Sequence, residues 1–375
     1  ALAATLHKLL RLRFGGIPAA AAMRIEAAPT PELERWIEGV LTADLPDLVA
    51  GRLSADCVLR ANEPLARRTT LGLGGAARWY AEPASVDDLV TLLRAAAELD
   101  LRWFVLGRGS NLLVPDEGYD GLILHLDAAR WGAVTDLGEG RFRVGGGTRL
   151  KELCGVAARE GRTGFEFLEG IPGTVGGSLR MNAGAMGGWI FDVVESIEWL
   201  TPQGRVRAAR RDCFDALYRD CPQLHGAVVL SAVLRSPAAD DPAAIRGRMD
   251  DLAARRRASQ PREASAGCVF RNPEGDKAGR LIDLSGLKGR AVGPVSVSPT
   301  HANFLVNAGD AKAADFLALM RTVRAEVKAR QGVELITSGE LLVVDEESRE
   351  VPHDGHTAGE IVVRGNVVMK SYFDD

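Results

Sequence analysis

The stretch GFEFLEGIPGTVGGSLRMNAGAMGG, residues 164–188, interrupts an apolar segment with closely spaced glycines. Glycine allows backbone N–H groups to approach a ligand closely and to point inward together, which suits a pyrophosphate. Between the glycines stand the small side chains Ser178, Asn182, Ala183 and Ala185, where bulky ones would fill a cleft. Glycine richness alone is equally typical of tight turns in a β-rich domain. The stretch therefore predicts either a cradle for a phosphorylated ligand or a set of tight turns.

Two shorter glycine clusters precede this stretch. TTLGLGG occupies residues 69–75, and GRGSN, residues 107–111, follows a short apolar strand predicted for WFVL. The first cluster does not fit a Rossmann dinucleotide loop, because such a loop follows a strand and opens a helix, whereas here the strand-like ARWYAEP comes after the glycines. Backbone amides of the GRGSN turn, together with the Ser110 hydroxyl and the Asn111 amide, form a candidate anion site.

Local patterns predict individual elements of secondary structure. Ser85 with Asp88 three positions later predicts the start of a helix, and Thr148 is predicted to lead the helix LKELCGVAARE. The sequence VVESIEWLTPQGRVR predicts a hairpin that turns at residues 202–204. Near the end of the chain, an amphipathic helix is predicted with one apolar face formed by Phe316, Met320, Val323 and Val327.

Composition excludes several classes of protein. The chain has 375 residues, 46% of them hydrophobic, which is enough for two or three structural units with buried cores. Its net charge of −4 provides no basic field for nucleic acid. Five cysteines without a CxxC pair argue against a disulfide framework and for a reducing cytoplasm. Only His353 and His356 lie three apart, so no metal site is predicted, and no apolar run approaches the ~18 residues of a membrane span.

Together, the three glycine clusters resemble the flavin-binding signature of the UDP-N-acetylenolpyruvoylglucosamine reductase (MurB) family. EGIPGTVGGSLRMNAGAMGG closely resembles the segment that cradles the flavin, and residues 62–335 resemble the family block by block. The resemblance implies an α+β fold, with the FAD-binding fold of the vanillyl-alcohol-oxidase superfamily (two flavin-binding subdomains) and a C-terminal α+β substrate domain. It also implies FAD as cofactor and NADPH as reductant. The residues expected to hold FAD are Gly107, Arg108, Gly109, Ser110, Asn111, Gly170, Ile171, Pro172, Gly173, Thr174, Val175, Gly176, Gly177, Asn182, Gly184 and Ala185.

The same resemblance divides the chain. Residues 61–130 are expected to form the first FAD-binding subdomain, 131–236 the second, and 237–335 the substrate-binding domain. Residues 1–60 are interpreted as an N-terminal extension, partly disordered or helical. Residues 336–375 form an atypical tail, in which GEIVVRGNVVMKSYFDD resembles a fragment of an adenylate-forming acyl-CoA ligase without the rest of such an enzyme.

Three catalytic residues are implied by the resemblance. Arg219 stands where the family has a cation that stabilises the enolate-like centre, and Cys268 replaces the serine that serves as proton donor in the string AGSxFxNP. A thiol is a better acid than a hydroxyl, so the replacement is chemically acceptable. The family's C-terminal glutamate has no clear match: an ungapped alignment offers Ser338, and a two-residue insertion offers Glu340. The alternatives are an exposed strand arginine for Arg219 and a small buried apolar residue for Cys268.

Polar residues of the expected substrate domain are candidates for binding a nucleotide sugar, whose phosphates need positive partners. Each of them is equally compatible with an ordinary surface role. These candidates are Asn272, Lys277, Arg280, His301 and Asn303, and Tyr218, which precedes Arg219 in the expected second FAD-binding subdomain, is a further candidate substrate residue.

The resemblance implies NADPH-dependent, FAD-mediated reduction of UDP-N-acetylglucosamine enolpyruvate to UDP-N-acetylmuramate in peptidoglycan synthesis. A flavin oxidase of the same superfamily is one alternative, and a catalytically impaired flavin-binding relative is another. The expected partner is a small-molecule UDP-sugar, with no nucleic acid and no membrane span, for a cytoplasmic monomer.

Overall fold

A computed structural model describes residues 2–14, 19–42, 44–337, 340–344 and 360–364. In the described part of the N-terminal extension, helices pack around a small apolar core of Leu6, Ile25 and Leu33. Most of the tail, including His353 and His356, lies outside the described residues. None of the helices formed by described residues is long and apolar enough to cross a membrane. The N-terminal helices are α1 (Leu2–Phe14), α2 (Ala19–Ala27) and α3 (Thr30–Thr42).

The first of the larger units contains a four-stranded mixed sheet. Its elements are α4 (Leu45–Val49), β1 (Val58–Pro64), β2 (Ala76–Glu82), α5 (Val86–Glu98), β3 (Trp103–Leu106) and β4 (Tyr119–His125). The strand order is β1-β2-β4-β3, with β1 antiparallel to β2 and both β2 and β3 parallel to β4. Helix α5 begins as predicted, because the Ser85 side chain accepts from the Asp88 amide and the Asp88 carboxylate accepts from the Ser85 amide.

The second unit contains a five-stranded antiparallel sheet in the order β10-β9-β11-β6-β5. The elements of the second unit are α6 (Ala128–Trp131), β5 (Val134–Asp136), β6 (Arg141–Gly145), α7 (Leu150–Arg159), α8 (Val175–Arg180), β7 (Gly184–Ala185), β8 (Gly188–Trp189), β9 (Val194–Leu200), β10 (Val206–Arg210) and β11 (Val228–Arg235). The predicted hairpin is confirmed as the antiparallel pair of β9 and β10.

The prediction that Thr148 leads α7 is wrong. The helix begins at Leu150, with Arg149 as the flanking residue and no capping side chain. The Thr148 carbonyl accepts from the Val175 amide at 2.9 Å, so this residue connects to the neighbouring glycine loop. A contact with a distant part of the chain therefore sets where the helix starts.

The third unit contains a four-stranded antiparallel sheet in the order β12-β15-β14-β13. The amphipathic helix is confirmed as α11, whose buried side chains include the four predicted ones. The elements are α9 (Pro242–Ser259), β12 (Ala264–Cys268), α10 (Ala278–Leu284), β13 (Ala291–Val292), β14 (Val295–Val297), β15 (Phe304–Asn307), α11 (Ala313–Gln331) and a separate two-stranded sheet of β16 (Glu340–Val344) with β17 (Glu360–Arg364).

Helix α9, which lies after the domain boundary predicted at residue 237, packs on the second unit. Its Ile245 and Met249 belong to the core of the second unit, together with Phe142 and Leu168. The helix thus packs on the second unit, and its last turn leads the chain into β12 of the third.

Side chains from the first unit enter the core of the third. Leu71, Leu73 and Leu113 belong to the apolar cluster that α10 and α11 cover. The Thr70 hydroxyl donates to the Ser265 carbonyl at 2.8 Å. These contacts hold the residue 69–75 loop beside β12.

We expect Asp116→Ala to lower the free energy of unfolding. Asp116 of the first unit accepts from the Ala313 and Ala314 amides of α11, at 2.8 and 3.1 Å, and thereby caps a helix of another unit. Loss of such a cap costs about 1 kcal/mol. Urea unfolding measures the change. Asp283→Ala, which removes an exposed pair with Lys288, is the control and should change stability much less. Equal effects of the two variants would contradict the capping role.

Candidate active site

Two of the predicted glycine clusters meet between the first and second units. The Ser110 hydroxyl donates to the Pro172 carbonyl at 2.5 Å. A Cβ added to Gly107 would lie 2.7 Å from Thr174 Oγ1, and one added to Gly109 would lie 2.3 Å from the Arg68 carbonyl oxygen. Backbones can come this close only where the side chain is a hydrogen atom. The sequence required glycine here because two loops are packed against each other.

A cavity of about 520 Å³ opens between these two units. This volume lies within the range of about 300–1,000 Å³ that is typical of small-molecule and cofactor sites. Strand β3 and Gly107 form one wall, and Thr174, Gly176 and Gly177 form another. Arg180, residues 224–227 and Val229 also line the cavity, together with residues 100–102, Leu126, Gly146 and Pro202.

The residues present fit an FAD molecule. Besides the cavity and the glycine backbones, Asn182 has a buried side-chain oxygen that finds no hydrogen-bond donor among the described residues. The Asn182 amide nitrogen, in contrast, donates to the Leu217 carbonyl at 3.0 Å. A buried acceptor without a donor is costly, and a ligand N–H or O–H would satisfy it.

The other predicted cofactor residues are not among those that line the cavity. Gly184 and Ala185 form β7, where a Cβ on Gly184 would lie 2.3 Å from the Trp189 ring. Arg108 is exposed, and Asn111 is half-buried. A Cβ on Gly267 would lie 4.0 Å from Asn111 Oδ1, so the end of β12 is next to the GRGSN loop.

Arg219 lies in a two-residue turn with unusual backbone geometry. Leu217 and Asp220 pair in both directions, with N···O distances of 2.9 and 3.3 Å. Arg219 has φ of 57°, a left-handed conformation that favours glycine. Such strain persists only where surrounding contacts enforce it, and it is concentrated at functional sites.

The turn brings Arg219 to Cys268, as the catalytic prediction requires. Arg219 Nη1 donates to the Cys268 carbonyl at 3.1 Å. Burial raises the pKa of the Cys268 thiol, although the charges of Arg219 and Arg256 act in the opposite direction. The thiol therefore stays protonated at neutral pH, with two cations at hand to stabilise a thiolate.

Arg256 is a site residue that sequence reasoning missed. It lies at the end of α9, and a Cβ on Gly170 would be 2.9 Å from its Cδ, so it packs on the glycine stretch. Burial lowers the pKa of its guanidinium. Arg256 Nε donates to Gln260 Oε1 at 3.0 Å. The run of three arginines in which it stands is typical of a solvated helix end, so its sequence carried no signal.

Tyr218 and Asn272 are also brought together. The Asn272 amide lies 3.5 Å from the Tyr218 hydroxyl, and the Tyr218 carbonyl accepts from Arg271. The Arg271 guanidinium lies 5.5 Å from the centre of the Tyr218 ring, and the Trp189 ring meets the same tyrosine edge-on at 6.2 Å. Arg271, which was not predicted, adds a third cation to this side of the site.

The remaining substrate candidates have other contacts. Asn303 is buried, and its side chain bonds both the amide and the carbonyl of Phe270 at 2.8 Å, which fixes the chain just after Cys268. His301 is half-buried and accepts from the Asn303 amide, and burial lowers its pKa. Arg280 pairs with Asp276 through two hydrogen bonds, and Lys277 stands at the start of α10.

The chain end approaches Cys268 from one side. The Arg271 amide donates to the Ile336 carbonyl at 2.7 Å, and Phe270 pairs with Thr337. The backbone of Glu340 begins β16, whereas Ser338 lies outside the described residues, as does the side chain of Glu340.

Comparisons with known proteins agree with this architecture. A family model described as UDP-N-acetylenolpyruvoylglucosamine reductase, C-terminal domain, matches residues 260–341, and one described as FAD binding domain matches residues 77–210. The reductase of Pelobacter propionicus is 41% identical over 290 residues, which cover 77% of this chain and 97% of that protein. The reductase of Desulfosudis oleivorans is 43% identical over 286 residues, or 73% and 91% of the two chains.

A solved structure extends the likeness to three dimensions. The crystal structure of the reductase (MurB) from Thermus caldophilus is 36% identical and superposes with a TM-score of 0.64, covering 74% of this chain and 97% of that one. Fold and site thus define an FAD-dependent oxidoreductase with the flavin-binding fold of the vanillyl-alcohol-oxidase superfamily. Within that class, the chain belongs to the UDP-N-acetylenolpyruvoylglucosamine reductase family. These matches do not favour the flavin oxidase or the impaired relative.

We expect Gly107→Ala to weaken FAD binding. The added methyl would stand 2.7 Å from Thr174 Oγ1, so the Thr174 side chain, which lines the same cavity, or one of the two loops must shift. A loss of at least about tenfold in affinity, or ~1.4 kcal/mol, is expected from titration of apoprotein with FAD. Gly247→Ala in α9, where a Cβ meets nothing within 4 Å, is the control and should bind FAD normally. Normal binding by the Gly107 variant would show that the two loops are not in contact.

Proposed function

We propose that this chain reduces the enolpyruvyl group of UDP-N-acetylglucosamine enolpyruvate and yields UDP-N-acetylmuramate. The family assignment supports the reaction, and the observation that carries the assignment of residues is the 3.1 Å contact between Arg219 and the Cys268 backbone. The Gly107 loop and the residue 174–177 loop would hold FAD, which would supply the hydride chemistry that links NADPH to the methylene carbon of the enolpyruvyl double bond. The protein must then stabilise negative charge on the neighbouring carbon and its carboxylate, and supply one proton.

Arg219 is the residue proposed to stabilise that charge. Its guanidinium fork matches a carboxylate, and charge-assisted hydrogen bonds to it strengthen as charge develops. No carboxylate side chain among the described residues pairs with Arg219 or Arg256. Both cations are therefore available to an anionic substrate group.

Cys268 is proposed to donate the proton. Its S–H bond breaks, the proton bonds to the carbon next to the carboxylate, and the double bond is then fully reduced. The thiolate that remains is stabilised by Arg219 and Arg256, whose charges act on it, and solvent returns the proton.

The nucleotide end of the substrate is proposed to lie along Tyr218, Asn272, Lys277, Arg280 and His301. Arg271 joins this set, because it contacts Tyr218. Asn303 acts differently: both of its polar atoms hold Phe270, so we propose that it positions the Cys268 strand.

A cytoplasmic monomer is part of the proposal. UDP-sugars and NADPH are cytoplasmic metabolites, and the five cysteines of the chain are free thiols in the structure, as expected in a reducing compartment. One copy of the chain supplies Arg219, Cys268 and the glycine loops together, which supports a monomeric site.

The test of the function measures the two half-reactions separately: reduction of the enzyme by NADPH and its oxidation by the enolpyruvyl substrate. We expect Arg219→Ala to slow oxidation of reduced enzyme by the enolpyruvyl substrate by a factor of ~10²–10³, the usual cost of losing a charge-stabilising donor. Reduction by NADPH should change little. Stopped-flow flavin absorbance follows both steps, and Arg207→Ala, an exposed arginine of β10, is the control. An equal loss in both steps would mean that Arg219 is structural.

Cys268→Ser should retain much of the activity, and Cys268→Ala should lose most of it. Because burial raises the pKa of the thiol, the parent should stay active until the pH exceeds the ordinary cysteine value of about 8.5 and then decline as the thiol ionises. Serine does not ionise in this range, so the alkaline decline should disappear in Cys268→Ser. The pH profile of kcat measures both effects. Normal turnover by the alanine variant would assign the proton to another acid.

Glu340 is proposed to assist protonation as the family's C-terminal glutamate does. The family match reaches residue 341, and Thr337 pairs with Phe270. The three residues from there to Glu340 span at most about 10 Å. We expect Glu340→Gln to lower turnover. The comparison variant restores Leu-Glu-Pro-Glu-Val after Val333. A Gln variant equal to the parent, with a much faster restored enzyme, would make Glu340 a bystander and this chain an impaired reductase.

A further inference from the structure

The strained turn at Arg219 is anchored by the carboxylate of Asp220, the residue that follows Arg219 in the chain. Asp220 Oδ1 accepts from Arg180 Nη1 at 2.7 Å and lies 2.7 Å from His225 Nε2. The side chains of Asp220 and Arg180 are only 12% and 14% exposed, so water screens their attraction little. Burial acts to raise the pKa of Asp220, but the hydrogen bond of His225 and the charge of Arg180 outweigh it and leave the pKa below its usual value.

The two residues before Arg219 are held through their backbone carbonyls. Asn182 donates to the Leu217 carbonyl, and Arg271 donates to that of Tyr218. The backbone pair between Leu217 and Asp220 closes the turn. The Asp220 carboxylate adds a side-chain anchor after Arg219, and its partners Arg180 and His225 come from α8 and from the segment before β11.

We propose that Asp220 is a positioning residue for Arg219: its carboxylate, held between Arg180 and His225, keeps the Arg219 turn in the left-handed conformation that carries the guanidinium to Cys268. Asp220 itself touches neither Cys268 nor the glycine loops in the contacts described. The inference rests on the proposed function only for its kinetic consequence. The position that Asp220 gives to Arg219 is a property of the protein itself and does not depend on which substrate is reduced.

The conformation of Arg219 explains why a second anchor is needed. A non-glycine residue at φ of 57° relaxes when its neighbours are free to rotate. Without the carboxylate clamp, the turn has a lower-energy form in which Arg219 adopts negative φ. That change rotates the side chain away from the Cys268 carbonyl.

The kinetic test uses Asp220→Asn, which keeps the shape of the side chain and removes its charge. Asp220 is the choice because Arg180 and His225 also line the cavity and their loss would disturb ligand binding directly. In the holoenzyme we expect at least a tenfold slower reaction with the enolpyruvyl substrate and an unchanged reaction with NADPH. The double variant Asp220→Asn/Arg219→Ala should be no slower than Arg219→Ala, because a positioning residue has nothing left to position.

Glu195→Gln is the matched control. Glu195 lies in the same unit and also between two arginines, with Arg141 at 3.8 Å and Arg235 at 4.0 Å. None of the contacts found among the described residues joins Glu195 to the Arg219 turn. A general effect of removing a doubly paired carboxylate would appear in this variant too, and we expect its half-reactions to match those of the parent.

A second readout does not depend on catalysis. Arg219 lowers the pKa of Cys268, so displacing its guanidinium should raise the pH at which iodoacetamide alkylates that thiol. Mass spectrometry of the Cys268 peptide separates this reaction from those of the other cysteines. We expect Asp220→Asn to move the midpoint upward, in the same direction as Arg219→Ala, and Glu195→Gln to leave it in place.

Additive losses in the double variant, or an alkylation midpoint equal to that of the parent, would overturn the proposal. Should Asp220→Asn fail to fold, His225→Gln replaces it in the alkylation test alone, which needs no ligand in the cavity, since the His225 side chain is 42% exposed and its loss removes one half of the clamp. The same shift of smaller size is then expected, and its absence also overturns the proposal. A parent protein that binds FAD but does not turn over the enolpyruvyl substrate would instead refute the proposed function, and the alkylation test would still decide the role of Asp220.

Discussion

The close approach of two glycine loops is the constraint on which the rest of the site depends. Gly107 stands against the Thr174 hydroxyl with no room for a methyl group, and Ser110 bonds the Pro172 carbonyl. These contacts join loops that belong to different sheets. Gly107 and Thr174 both line the cavity between the two units, so their contact helps to set where its walls lie.

Charge is the second organising feature. Arg219, Arg256 and Arg271 converge around Cys268 and Tyr218, and burial opposes the charge on Arg256. Placing cations together without carboxylates destabilises the free protein and favours an anionic ligand. A UDP-sugar that carries an enolpyruvyl carboxylate has negative charges that could pair with these arginines. The charges of Arg219 and Arg256 also act against the burial that raises the pKa of the Cys268 thiol, as its proposed role as proton donor would need.

The site exists only where the units meet. The second unit supplies Arg219, the third supplies Cys268, and α9 crosses from one to the other with Arg256 in its last turn. Leu71 and Leu73 of the first unit are built into the core of the third. Relative movement of the units would therefore separate the proposed acid from the proposed cation, which explains why apolar side chains and helix caps connect them.

The amino-acid sequence by itself determined the elements whose causes are local, together with the family. The Ser85–Asp88 capping box, the β9–β10 hairpin and the apolar face of α11 depend on residues a few positions apart, so a pattern of spacing suffices to predict them. Arg219 and Cys268 were identified through motifs. Only the tertiary structure decided that Thr148 joins a glycine loop instead of leading a helix, that Arg256 packs on Gly170, and that Asp220 pairs with Arg180. Such contacts join residues far apart in the chain, and they arise from how the packed units place side chains together, which no local periodicity records.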